Sequence, residues 1–287
     1  MRDLTRKYAD LHIHSTYSDS SLTPKDVLKY AQMVGLSCIS ITDHDSVGGV
    51  PEAYEYAKQL EIEFIPGIEL SAIYNGIDIH ILGYFIDWTD KEFLGILGNI
   101  QDYRRKRIRL ILGKLRNFGI KIDYDFVLNL SGNHSLGRPH VALAMKELGY
   151  VEKPQEAFDK YLADDKPAFV PKFQMSPRDC VELINSVRGI PILAHPVFIY
   201  QKINIFELIG FGIRGMEVIH IQHSKNDEVL FSRICNSHKL LKTGGSDFHG
   251  ILNEEMLLGQ KKVPYEYVLS LKAVSYTHLT LPTKRIV

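Results

Sequence analysis

The 287-residue chain holds three cysteines, one tryptophan and no excess of either charge, with 34 Lys and Arg residues against 34 Asp and Glu. Cys38, Cys180 and Cys235 are odd in number, far apart and set in apolar or helical contexts. That excludes a disulfide framework and points to buried, reduced thiols. Balanced charge argues against a broad footprint for long duplex nucleic acid, so any bound anion must be held locally. There is no run of about eighteen apolar residues to span a bilayer and no opening apolar stretch with basic flanks. Neither membrane insertion nor secretion is expected, and the composition suits a cytoplasmic protein with no obligate protein partner.

What the chain does have is strand and helix patterns in alternation. Residues 9–14 form a strand-like run, followed by a helix opening at Thr23-Pro24, a strand over 37–42, a helix over 50–60 and strands over 63–70 and 77–85. Thr23 suits an N-cap, with Pro24 at the first helical position. This βαβ rhythm predicts an α/β chain with a mostly parallel sheet or barrel. The body is expected over 1–98 and 168–272, interrupted by a helical subdomain at 99–167. Residues 273–287 carry no periodicity that joins them to what precedes, and read as a tail or as foreign sequence. Arg104, Arg105, Lys106, Arg107 and Arg109 read as the solvated face of a charged helix.

The chemistry sits at strand ends. In an extended strand, residues i and i+2 share a face, so His12 and His14 reach one spot together, as do Asp247 and His249. His44 follows Ile41-Thr42-Asp43, Glu69 follows 64–68, and His195 follows 191–194. Asp19 and His80 complete the set. Burying such groups unpaired costs several kcal/mol each, on the order of the desolvation penalty of an uncompensated polar group, so a cluster at one mouth requires a compensating ion. Six imidazoles and three carboxylates exceed what one metal can use, since zinc takes about four ligands and manganese about six. Two or three divalent ions are expected, manganese first, with zinc or iron as alternatives. Such a site favours a phosphate over a neutral substrate.

His12-x-His14, Thr42-Asp43-His44-Asp45, Gly67-Ile68-Glu69, His80-Ile81-Leu82-Gly83-Tyr84, Ala194-His195-Pro196 and Ser246-Asp247-Phe248-His249-Gly250 together resemble the PHP (polymerase and histidinol phosphatase) superfamily. The resemblance covers residues 9–271 and implies a distorted seven-stranded (β/α)7 TIM-like barrel. His12-Ser15-Thr16-Tyr17-Ser18-Asp19 and Gly137-Arg138-Pro139-His140 are most similar to its nucleotide-phosphatase branch, which includes RNase AM and the 3′,5′-nucleotide bisphosphate phosphatases; Ser20 departs from the glycine common there. By position, the resemblance implies one metal held by His12, His14, Glu69 and Asp247. A second would be held by Glu69, His80 and His195, and a third by Asp19, His44 and His249. Ser15, Asp43 and Asp45 become supporting candidates, with Asp43 equally readable as a capping residue.

Gly137-Arg138-Pro139-His140 precedes a helix, whose free N–H groups together with the Arg138 fork suit a phosphate. Taken alone, the motif also fits a capped helix with an exposed arginine. His220 and His223, after Glu217-Val218-Ile219, are a further group near the barrel mouth, and His223 is a candidate for contacting phosphate or protonating the leaving oxygen. His134, His238 and His278 read as structural. The implied reaction is hydrolysis of a phosphate ester by activated water, on a phosphorylated small molecule, a nucleotide or the end of a short RNA. Three other readings share parts of the pattern: a histidinol-phosphate phosphatase, an amidohydrolase, and a catalytically silent metal-binding module.

Overall fold

The computed structural model describes residues 7–132, 135–250 and 258–280, with side chains through Ser275. Its strands lie in two sheets. In the first, β1 (Tyr8–Ile13) pairs in parallel with β2 (Cys38–Ile41), β2 with the short β3 (Glu63–Phe64), and β9 (Val263–Pro264) runs antiparallel along the other edge of β1. The second runs in the order β4 (Gly67–Tyr74), β5 (Ile77–Tyr84), β6 (Ile190–Leu193), β7 (Gly215–His220) and β8 (Leu241–Gly245).

The local signals act as expected at several points. Helix α1 (Pro24–Val34) starts at Thr23, whose hydroxyl accepts from the Asp26 N–H, and ends at Gly35 in the left-handed conformation. β4 and β5 form a two-residue hairpin through Asn75 and Gly76, both at positive φ, which suits the twist of the flanking strands. Helices α2 (Val50–Gln59), α7 (Pro177–Ser186), α8 (Ile205–Gly210), α9 (Lys225–His238) and α10 (Tyr265–Thr280) pack around the sheets. All three cysteines are buried and unpaired. No helix among the described residues is long and apolar enough to cross a membrane.

Among the described residues no closed barrel of seven strands forms; the architecture is mixed α/β with two sheets that meet along two seams. Three features explain the difference. Pro66, which has no N–H to donate, interrupts the strand expected over 63–70, so that β3 lies in one sheet and β4 in the other. β5 pairs antiparallel with both β4 and β6. Finally, β9 takes the edge of β1 that closure onto β8 would need. The sheets join through single parallel bridges, Ile13 to Phe248 and His44 to Glu69. At the first seam the backbones come very close: a Cβ on Gly245 would lie 2.4 Å from the His12 nitrogen.

The insertion is built on α3 (Lys91–Arg116), capped by Asp90 accepting from the Phe93 N–H at 2.9 Å. Phe93, Leu97 and Ile100 pack with the β4–β5 sheet, whereas Ile108, Ile111 and Leu115 belong to a separate apolar cluster. That cluster is completed by α4 (Tyr124–Leu130), α5 (Arg138–Glu147), α6 (Pro154–Ala157) and the wide turn Phe158–Leu162. The boundary expected at residue 99 therefore falls inside one continuous helix. At the other end α10 continues to Thr280, past the limit of 272 read from periodicity, and residues 281–287 lie outside the described residues.

Candidate metal centre

Strand geometry delivers the donors. His12, in β1, and His14, just past its end, are fully buried and face Asp247 across the sheet seam, while Ile13 between them packs with Phe248 on the other face. β4 and β5 are in register so that Ser71 faces His80, which puts Glu69 and His80 on the same side of the sheet. β2, β6 and β8 end just before His44, His195 and Asp247. Asp45 (φ 50), His195 (φ 25) and Asp247 (φ 51) all adopt positive φ, a conformation that costs a non-glycine residue about 1–3 kcal/mol and clusters at functional sites.

Glu69 is the hub. One carboxylate oxygen, Oε2, lies 3.3 Å from His12 Nε2, 3.2 Å from His14 Nε2 and 3.0 Å from His44 Nδ1. The other, Oε1, lies 2.9 Å from His80 Nδ1 and 3.2 Å from His195 Nε2. Asp247 Oδ1 is 3.2 Å from both His12 Nε2 and His14 Nε2. Asp19 stands on the outer side, 3.4 Å from His249 Nε2 and 3.8 Å from His44 Nε2 and His14 Nδ1. Ligating atoms within 4.8 Å of one another fall into four overlapping groups: His14, Asp19, His44 and His249; His12, His14 and Glu69; His44, Glu69 and His80; and His12, His220 and Asp247.

Burial opposes the charged form of these carboxylates, yet the surrounding imidazoles hold Glu69 and Asp247 well below the usual carboxylate range. Burial pushes His44 the other way, down to about 3. His12 Nε2, His14 Nε2, His44 Nδ1, His80 Nδ1, His195 Nδ1, Asp19 Oδ1 and Glu69 Oε2 are all buried without a hydrogen-bond partner. Buried polar atoms are normally satisfied. Such a convergence of orphaned nitrogen and oxygen donors fits divalent cations, and the donor set suits zinc, manganese or iron.

Other expected residues lie off the cleft. Asp43 faces away from it: its carboxylate accepts from Ser15 N at 2.7 Å and from the hydroxyls of Ser15 and Ser18 at 2.6 Å each. Ser15 is therefore buried behind the centre. His140 is also inward, its Nδ1 accepting from the Gly137 N–H at 3.1 Å. His223 does not reach the cleft: its Nδ1 sits 2.9 Å from the Val218 carbonyl, and its ring packs against His220 and Phe231. His238 packs on Phe206, while His134 and the His278 side chain lie outside the described residues.

Two groups were missed. Glu217, fully buried in β7, contacts His12 Nδ1 at 3.1 Å and accepts from the His195 N–H at 2.7 Å. A charged residue inside an otherwise apolar strand was the available signal, and His220, on the same strand, reaches Asp247 Oδ2 at 3.5 Å. The second group corrects the solvated-face reading of α3 at two of its five basic residues, while Arg105, Lys106 and Arg109 stand on the outer side as expected. Arg104 pairs with Asp45 and donates to the Leu136 carbonyl, and Arg107, 5% exposed, donates to the Val170 carbonyl at 2.8 Å with Nη2 left unpartnered. Their spacing from Ile100 and Ile111 puts all four on one helical face.

The centre opens into two clefts. One, of ≈ 190 Å³, is lined by Arg104, Arg107, Arg138 and Lys172 together with Asp19, His44 and His80. Arg138 is steadied there by Asp164 at 2.7 Å and by the Leu162 carbonyl at 2.9 Å. The other, of ≈ 550 Å³, shares His44, His80 and Lys172 with the first and extends past His195 toward Ile77, Phe198 and Lys202.

The PHP domain model matches residues 10–169. The chain is 33% identical over 251 residues to a 5′-3′ exoribonuclease of Haemophilus influenzae, covering 86% of this chain and 91% of that protein. It is 32% identical over 248 residues to a 3′,5′-nucleoside bisphosphate phosphatase of Chromobacterium violaceum, covering 84% and 86%. A solved structure from Bifidobacterium adolescentis, described as a metal-dependent phosphoesterase, matches with a TM-score of 0.84 at 25% identity, covering 93% of this chain and 96% of that one.

Proposed function

Because the chain belongs to the PHP domain family and is a metal-dependent phosphoric ester hydrolase, we propose that its substrate carries two phosphates on one nucleotide: a 3′,5′-nucleotide bisphosphate or the 5′-phosphorylated end of a short RNA. The observation that carries this reading is the sharing of His44 and His80 between the donor cluster and a pocket walled by Arg104, Arg107, Arg138 and Lys172. One phosphate would lie over the donors and the other among the cations.

We read His12, His14, Glu69 and Asp247 as one ligand set, Glu69, His80 and His195 as a second, and Asp19, His44 and His249 as a third, with manganese as the expected ion. When bound, such ions polarise a phosphoryl oxygen and acidify water. The rest falls to the chain. Glu69 points one oxygen at each of two histidine sets and so fixes their separation. Glu217 holds the His12 ring from its Nδ1 side, and Asp43 ties down the Ser15–Ser18 loop beside His14. Arg138 and Arg107 neutralise the second phosphate, Arg138 with a planar fork that matches its oxygens. Residues 99–167 act in this reading as a cap that brings the cations over the centre.

A phosphate-release screen with added manganese tests it, comparing adenosine 3′,5′-bisphosphate, adenosine 3′-monophosphate and histidinol phosphate. The bisphosphate is expected to be turned over with the highest kcat/KM. Equal or faster release from either monophosphate would remove the two-phosphate requirement.

A further inference from the structure

We propose that Phe198 is the stacking platform for the nucleoside on the far side of the scissile phosphate, making the larger cleft a subsite for the second nucleotide of a 5′-phosphorylated RNA. The inference rests on the two-phosphate reading above and adds direction to it. Arg107 and Arg138 line the smaller cleft and not the larger, Phe198 lines the larger and not the smaller, and His44, His80 and Lys172 line both. A nucleotide whose 5′-phosphate sits among the arginines, with its 3′-phosphate over the donors, would direct anything esterified beyond that phosphate toward Phe198.

Phe198 is built for contact. It closes the tight turn Pro196–Phe198, donating its N–H to the His195 carbonyl at 3.2 Å, and the next residue, Ile199, is buried in the core. His195 is in turn fixed through its own N–H to Glu217. The backbone beneath the ring is thus tied to the donor cluster. The residue is 48% exposed, its ring edge-on to His195 with centroids 5.3 Å apart, and it lines a cleft of ≈ 550 Å³. Single exposed aromatics are ordinary on a protein surface; one on an anchored backbone, beside the donor cluster and lining a cleft with room for a second ring, is a base-stacking arrangement. Ile77 adds an apolar wall. Lys202, exposed and with no ion-pair partner among the described residues, offers a cation to the strand that continues past the base.

The test compares adenosine 3′,5′-bisphosphate, which has nothing beyond the 3′-phosphate, with the 5′-phosphorylated dinucleotide pApA. Phe198→Ala is expected to lower kcat/KM for pApA by about 5- to 160-fold, the range that base–aromatic stacking carries on alanine substitution, and to leave the bisphosphate within about two-fold. Phe198→Trp should restore the dinucleotide rate. Equal losses on both substrates, or none on either, would overturn the subsite. A second readout is independent of turnover: calorimetric binding of both ligands to the calcium-loaded protein. Wild type should bind pApA more tightly than the bisphosphate, and Phe198→Ala should erase that preference; its persistence in the variant would overturn the proposal. If neither ligand were hydrolysed, the two-phosphate reading would fall, and the binding comparison would still decide the role of Phe198.

Discussion

The Glu217 carboxylate accepts the main-chain N–H of His195 at 2.7 Å and thereby ties strand β7 to the residue that follows β6. Its other oxygen lies 3.1 Å from His12 Nδ1, so one buried side chain orients two of the donors and leaves His12 Nε2 facing Glu69 and Asp247. A carboxylate of this kind sets the tautomer and raises the basicity of the imidazole, and its loss typically weakens metal binding 10–100-fold. Glu217→Gln keeps the size and an acceptor but removes the charge. Competition of metal-loaded protein with a chelating dye should show about that loss, with the far-ultraviolet spectrum unchanged; wild-type affinity would mean that Glu217 is only a packing residue.

Glu69→Gln makes a harsher demand. Five imidazole nitrogens lie within 3.3 Å of the Glu69 oxygens, and a neutral amide would be a weaker ligand than the carboxylate toward ions held on either side of it. Fewer ions per chain by elemental analysis, and a fall in phosphate release beyond the roughly 100-fold ceiling of outer-shell changes, are expected together. Full metal content with low activity would instead make Glu69 a base, and would require a new assignment of the ligands.

Much of the donor set was legible because it obeys local rules. His12 and His14 need only the two-residue period of a strand to converge, and the residues after β2 and β6 stand at strand ends that apolar runs announce. The two-sheet arrangement was not legible, because it depends on where Pro66 releases the chain and on β9 reaching β1 from more than two hundred residues away. Arg104 and Arg107 illustrate a different failure. A cluster of basic residues on a helix usually faces water, and only the positions of Ile100 and Ile111 on the same face mark these two as turned inward. Glu217 needed knowledge of what lies across the sheet, which no window along the chain contains.

Asp45 and Arg104 join the loop beside His44 to the first helix of the insertion, and Gln101 donates to the Asp45 carbonyl at 2.8 Å in the same place. Burial works against the Asp45 charge, and Arg104 outweighs it to hold the carboxyl below its ordinary range. Removing one partner of a buried pair leaves the other charge uncompensated, at about 3–5 kcal/mol. Asp45→Ala should therefore lower Tm by about 6–20 °C, taking roughly 2–4 °C per kcal/mol for a chain of this size. The double variant Asp45→Asn with Arg104→Met should recover part of that loss, because no lone charge remains. A double variant no more stable than Asp45→Ala would show that the pair contributes through hydrogen-bond geometry rather than charge.

Removal of divalent ions tests the centre as a whole. His12, His14 and Glu69 bring buried, unsatisfied atoms from β1 and β4, which belong to different sheets, and Asp247 adds a third element. Ions held there would act as a clasp between the sheets as well as the seat of the chemistry. Binding to the folded state alone stabilises by about 2.7 kcal/mol per site at one hundred times Kd. Dialysis against a chelator should therefore lower Tm by about 5–10 °C for each site emptied, and manganese should restore it in a concentration-dependent way. Repeating the titration on Glu69→Gln separates a clasp from a nonspecific salt effect, since a salt effect would survive the substitution and a clasp would shrink with it. A Tm indifferent to both chelator and manganese would mean that the cluster holds no ion, and the reading of the chain as a metal-dependent phosphoesterase would lose its structural basis.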